Sequence, residues 1–369
     1  MLDEMRDAPE VVRPSAFWEQ LNEAHLRWLE ERGFDAFKRT VNQQYFQFVP
    51  VSPFTPREAR NHPLREQYRS ISRQFRAVLG RSLRRPTPRV LSASLVDERA
   101  TTALDQLPSR RARKLYAIYV AALWEEVGRR GGRDLLDRLE EPALGSPISI
   151  HYRGRSTSED LCNSVLELIS MTEPLPGKRP PPGGVIELGA GYGRLAWVFL
   201  SAFPDTRYIV VDIPPALAVS ERYLSELFPD RRIFRFRHFR EGTEVEEELA
   251  RAQVAFLTPN QLDLISPLSS ELFVTISSLH EMRPEQIDFY LHQVARHCDG
   301  YFYFKQWQES VNPPDQVVIR REDYPIPADW VPIFDRPHPV QTAFFEAMYR
   351  LPGDGSLRSE APQRPEPAR

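Results

Sequence analysis

The stretch "VIELGAGYGRLAWVFL", residues 185–200, sets three glycines at two-residue intervals between an apolar run that ends at Glu187 and an apolar helical pattern that starts at Leu195. Such a stretch reads strand, tight turn, helix. In an open parallel sheet the ligand lies beyond the carboxyl ends of the strands, and the first strand-to-helix turn comes closest to it. Glycines there let the main chain approach, because no Cβ stands in the way.

Outward from the turn, strand and helix patterns alternate as a parallel sheet requires. "RYIVVDI" is a second strand, and "QVAFLT", "ELFVTIS" and "GYFYFKQW" are three more. The helices between them read "RLAWVFLSAF", stopped by Pro204, "PALAVSERYLSELF", stopped by Pro229, and "PEQIDFYLHQVARHC". "DWVPIFDR" and "TAFFEAMYRL" are joined by too short a link for a crossover helix, so the sheet should end in an antiparallel hairpin. The fold class expected is a doubly wound α/β domain over residues 146–351. Ahead of it, residues 1–145 form a mostly helical accessory region, with patterns at Ser15 to Gly33, after Pro56, and at Ser109 to Gly128. The bridge into the main domain has capping-box spacing at Ser156 and Glu159, and a helix should begin near Ser158. Residues 352–369 have the proline-rich, charged composition of a disordered tail.

Composition narrows the function. The net charge is -3 over 369 residues, which speaks against a phosphate-tracking nucleic-acid surface. The basic run "FRFRHFR", Phe234 to Arg240, is expected to be a solvated strand face. Two cysteines, Cys162 and Cys298, exclude a disulfide framework and a four-thiolate zinc site within one chain. The chain carries no secretory pattern at its start and no run near the roughly 18 apolar residues of a membrane span, so a cytoplasmic address and no membrane partner are expected. No metalloprotease, paired-cysteine or calcium-loop spacing indicates a metal.

The glycine spacing departs from the dinucleotide fingerprint, because the sixth position counted from Gly189 is Arg194. Asp212 ends the second strand 19 residues after Gly193, close to where an acid that binds ribose stands; it could also cap the following helix. "ELGAGYGR" resembles the E/D-x-G-x-G-x-G signature of the seven-strand, class I methyltransferases that use S-adenosylmethionine. "VDIPPALAVSERYLSELFP", "FLTPNQLDLI", "FVTISSLHEM" and "FFEAMYRL" together resemble the bacterial sugar O-methyltransferase family over most of residues 145–350. The resemblance implies S-adenosylmethionine as cofactor and S-adenosylhomocysteine as product. It implies a Rossmann-like sheet and a cofactor site made by Glu187, Gly189, Ala190, Gly191, Gly193, Asp212, Ile213, Asn260, Gln261 and Ser277. Glu187 would hold the methionine ammonium, and Asn260 and Gln261 would stand near adenine.

"SSLHEM" is similar to the histidine-acid pair that follows strand four in small-molecule O-methyltransferases. On that analogy His280 is the general base and Glu281 orients it or contacts the acceptor; the plain alternative is a loop histidine. His151, Tyr152, Arg153 and Arg155 are candidates to close over the cofactor's carboxylate or the acceptor, or are simply an exposed basic loop. Some sugar methyltransferases use a divalent ion, for which Asp263, Glu281 and Asp288 could offer oxygens. The function expected is transfer of a methyl group to a hydroxyl of a sugar or glycosylated metabolite. A catalytically silent methyltransferase-like binding protein and a nucleotide-dependent oxidoreductase are the rivals. The N-terminal helices are a candidate surface for a homo-oligomer.

Overall fold

Every side chain of Val185–Leu188 (β1) is buried, as expected of a strand covered on both faces. The computed structural model describes residues 1–38, 76–78, 80, 88–96, 110–180 and 183–352. Of the helical pattern expected after Pro56, residues 76–78 and 80 and a helix Pro88–Ser92 are described; the tail lies outside, apart from its first residue, Pro352.

Around β1 runs an eight-stranded sheet. Its strands are Tyr208–Val211 (β2), Ile233–Phe234 (β3), Val254–Leu257 (β4), Ser270–Ile276 (β5), Cys298–Trp307 (β6), Val331–Pro337 (β7) and Phe344–Arg350 (β8). Their order across the sheet is β7-β8-β6-β5-β1-β2-β4-β3. All neighbours pair in parallel except β8, which is antiparallel to both β6 and β7. The doubly wound sheet and its terminal antiparallel hairpin are therefore as predicted. The basic run differs: strand geometry is confined to Ile233–Phe234, and Arg235 and Arg237 pair with Glu221 and Glu248. A hairpin of Glu309–Asn312 and Val317–Arg320, which the sequence pattern did not reveal, follows β6.

Alternation along the strands divides the interior into two cores. Val185, Val210 and Val274 face one, with Glu187 pointing to the same side, while Ile186, Ile209 and Phe273 face the other. The first core is closed by Arg110–Val127 (α2), Glu159–Thr172 (α3) and Arg194–Ala202 (α4), and Trp124 and Leu123 of α2 are buried in it beside residues of the sheet. The second is closed by Pro259–Leu264 (α6) and Pro284–His297 (α7), while Ala216–Leu227 (α5), packed beside β2 and β4, buries Leu217, Tyr223 and Leu224 in the first. Each fully buried leucine or phenylalanine here stabilises the fold by about 1.5–3 kcal/mol. Both cysteines are buried free thiols.

The cap of α3 is Ser158, whose hydroxyl accepts from the Leu161 N–H at 3.0 Å. Ser156 instead lies in a strand, Arg155–Ser158, that pairs with Ser149–Tyr152, so the capping-box reading at Ser156 is corrected. Helix Ala16–Arg32 (α1) starts and stops as expected, at Ser15 and Gly33. What precedes it, a short helix Leu2–Asp7 and a turn Glu10–Val12, runs as a strap across the carboxyl edge of the sheet. Thr258, just past β4, donates to Glu4 at 3.4 Å. Gln286, in the first turn of α7, donates to the carbonyls of Val11 and Arg13 at 3.1 and 2.9 Å. Ser15 donates to the Glu281 carbonyl at 3.0 Å, and Asp315 of the hairpin accepts from the N–H groups of Ala16 and Phe17 at 2.9 and 3.0 Å.

Candidate active site

The three glycines of the turn all hold positive φ, 75° at Gly189, 60° at Gly191 and 87° at Gly193. Two of them do different work. A Cβ on Gly189 would stand 2.0 Å from Ser278 Oγ, so that residue must be glycine for the turn to pack against the end of β5. A Cβ on Gly191 would meet nothing within 4 Å. Gly191 instead lines a crevice of about 1020 Å³, open mouth included, at the carboxyl edge of β1, β2 and β5.

Asp212 fastens that turn. Its Oδ2 accepts from the Gly191 N–H and its Oδ1 from the Ile213 N–H, both at 2.7 Å. The helix-cap alternative is corrected, since α5 begins at Ala216 with no side-chain cap. A carboxylate has about four lone-pair directions, so Asp212 keeps acceptor capacity toward the crevice it lines. Burial pushes its carboxyl up to about 7 against the lowering effect of the two N–H groups. Glu187 stands in the same crevice, accepts from the Tyr208 hydroxyl at 2.7 Å, and is likewise pushed up to about 7 by burial.

A third acid, Asp160 of α3, lines the crevice and accepts from Tyr192 at 2.7 Å. Arg194, at the start of α4, is turned away into a buried network. Its guanidinium grips both oxygens of Glu167 at 2.5 and 3.1 Å, and Glu167 also receives Lys305 at 2.6 Å. Burial alone would raise the Glu167 carboxyl, but the two cations outweigh it and hold it below the ordinary range. Around the glycine turn the crevice therefore presents acceptors and negative charge, with Arg194 already neutralised.

Ser277, Ala190 and Ile213 also line the crevice. Ser277 sits at φ 56°, a left-handed conformation that costs a non-glycine residue about 1–3 kcal/mol and that clusters at functional sites. Gly193 lies behind the turn, where its Cβ would press on Leu224 at 3.1 Å. Asn260 and Gln261 do not join the lining. Gln261 is spent on structure: its oxygen accepts from the Thr258 N–H and its amide donates to the Arg237 carbonyl, capping α6.

His280 follows Ser278 by two residues, buried and outside the crevice lining. Gln306 donates through Nε2 to the Thr275 carbonyl and accepts at Oε1 from the Ser278 N–H. With that amide so oriented, Gln306 Oε1 at 2.9 Å requires Nδ1 of His280 to be the protonated nitrogen. Nε2 is then the basic atom, 3.3 Å from Glu281 Oε1. Tyr152 and Arg153 are far from this arrangement in role, since both bind Glu125, and Arg155 pairs with Glu140. None of the three lines the crevice. Among the described residues, no group of three or more His, Cys, Asp or Glu side chains is placed to hold a metal ion, and no helix is long and apolar enough to cross a membrane.

One side of the crevice was missed altogether. Val12, Arg13, Pro14, Ser15 and Trp18 of the strap and α1 line it opposite the glycine turn. The helix cap at Ser15 was legible in the sequence; the strap's position was not, because every contact that fixes it comes from residues far along the chain.

No family model matches the sequence, and no curated protein matches it. Solved structures of similar fold include the 1,6-didemethyltoxoflavin-N1-methyltransferase of Burkholderia thailandensis, solved with bound S-adenosylhomocysteine (TM-score 0.35, 16% identity, 53% of this chain and 79% of that one). The magnesium protoporphyrin IX methyltransferase of Synechocystis is another (0.36, 11%, 52% and 82%), as is a methyltransferase of Aquifex aeolicus (0.33, 14%, 51% and 92%).

Proposed function

We propose that the chain is an S-adenosylmethionine-dependent methyltransferase acting on a hydroxyl of a sugar or glycosylated metabolite. The observation that carries the cofactor class is the acidic crevice over the glycine turn, with Asp160, Glu187 and Asp212 in its lining. A ligand bearing a sulfonium, an ammonium and two ribose hydroxyls suits those acceptors. A dinucleotide suits them poorly, because its pyrophosphate would have to sit at the glycine turn, against the like charge of Glu187 and Asp212 and over a Gly191 N–H that Asp212 already holds. Gly191 leaves the main chain bare for close approach, and Glu187 and Asp212 would hold the ammonium and the ribose. When bound, the cofactor supplies a methyl group already activated by its sulfonium.

The chain's own part is to position an oxygen and take its proton. His280 Nε2 is the proposed base, with Gln306 fixing the tautomer and Glu281 stabilising the imidazolium formed. His280 Nε2 would take the acceptor's proton as its oxygen accepts the methyl group that the bound cofactor would supply. The sugar class rests on the sequence resemblance alone. The test is labelled methyl transfer to a panel of free sugars, nucleotide sugars and glycosylated small molecules. His280→Ala should bind S-adenosylhomocysteine as the wild type does and turn over about 10²-fold more slowly or worse. Wild-type turnover in that variant would remove His280 from the mechanism.

A further inference from the structure

We propose that Arg13, carried over the crevice by the N-terminal strap, is a ligand-binding residue that pairs with an oxyanion of the bound ligand. The inference rests on the methyltransferase reading of the same crevice and adds a residue, and a segment, that the sequence motifs did not include.

The argument is one of charge and anchorage. Only two basic side chains, Arg13 and Arg194, line the crevice among the described residues, against three carboxylates. Arg194 is committed to Glu167 through both oxygens. Among the described residues Arg13 has no carboxylate partner, and its side chain makes one hydrogen bond, from Nε to the Ala8 carbonyl at 2.7 Å. That bond orients the planar fork and leaves the four N–H donors of the two terminal nitrogens for a ligand.

The backbone beneath is clamped on both sides. Gln286 holds the carbonyls of Val11 and Arg13, and Ser15 holds the Glu281 carbonyl next to the His280 pair. A guanidinium so placed takes carboxylate or phosphate with paired, charge-assisted hydrogen bonds. The oxyanion has two sources in the proposed reaction: the carboxylate of the cofactor's amino-acid end, or a phosphate on the acceptor.

Calorimetry on the full chain separates them. The probes are S-adenosylhomocysteine; 5′-methylthioadenosine, which keeps the nucleoside thioether but lacks the amino-acid end; and inorganic pyrophosphate. Arg13→Ala should weaken one anionic probe about 10-fold or more, with 5′-methylthioadenosine unchanged and Arg13→Lys recovering part of the loss. Loss confined to S-adenosylhomocysteine identifies the cofactor carboxylate, and loss confined to pyrophosphate identifies the acceptor. If Arg13→Ala binds all three like the wild type, or weakens 5′-methylthioadenosine equally, the proposal is overturned. A wild type that binds no S-adenosylhomocysteine overturns the methyltransferase reading instead, and the pyrophosphate comparison alone then decides Arg13.

Discussion

The crevice has a floor and a roof built in opposite ways. The floor is local: Gly191 and Asp212, 21 residues apart, are joined by one hydrogen bond across adjacent parallel strands. The roof is assembled from a distance, since Ser15 reaches Glu281 over 266 residues and Ala16 reaches Asp315 over 299. A floor of this kind exists once β1 and β2 pair. The roof exists only after the whole sheet, α7 and the hairpin after β6 are in place. Substitutions in the floor should therefore act on binding or on folding according to what a side chain would strike, whereas those in the roof should act on the ligand alone.

The largest effect is expected within the floor itself. Gly191→Val should remain folded, at a cost of about 1–2 kcal/mol for a left-handed valine, yet lose S-adenosylhomocysteine binding by about 100-fold or more, since its side chain would enter the crevice. Gly189→Val should fail to fold, because its Cβ would fall on Ser278. Melting curves beside titrations read both, and a Gly191→Val protein that binds normally would break the assignment of the floor.

A smaller effect comes from pH. Burial holds Glu187 and Asp212 near 7 in the empty crevice, above the carboxylate range of the unfolded chain. Between pH 8 and pH 6 both take up protons in the folded state while the unfolded chain stays ionised. The ligand-free protein should gain stability from this pair as pH falls through 7, and that gain should be absent from Glu187→Gln/Asp212→Asn. Binding should move the other way, falling about 10-fold for each ionised acceptor it requires, because a protonated carboxyl neither attracts an ammonium nor accepts as strongly from ribose. Stability and affinity rising together with pH would contradict the account. The roof variant Arg13→Ala should then show a loss of similar size without any change in the pH midpoint.

These expectations also mark what the sequence could reveal. The strand, turn and helix at 185–200 were legible because apolar period, glycine spacing and stop signals all lie within a few residues, and the same holds for β2, β5, β6 and the final hairpin. Asp212 could be picked out by its distance from the turn, although its grip on Gly191 could not. The capping role of Gln261 was not legible, because a polar side chain at a strand end reads equally well as a ligand contact, and here the cap uses both ends of its amide. Tyr152 and Arg153 looked available in sequence, but Glu125 on α2 takes them both, and no pattern within residues 146–160 announces that partner. The roof was invisible for the same reason. Proline and serine at 14 and 15 announce a helix start, and nothing in them says which residues that start will cover.

The central claim is that this crevice holds a nucleoside joined through sulfur to an amino acid and excludes a dinucleotide. Titration calorimetry of the wild-type chain with S-adenosylhomocysteine and with NAD, at pH 8 where Glu187 and Asp212 are ionised, tests it directly. The account predicts saturable binding of S-adenosylhomocysteine at one site per chain and no measurable heat with NAD; binding of NAD without S-adenosylhomocysteine would contradict it.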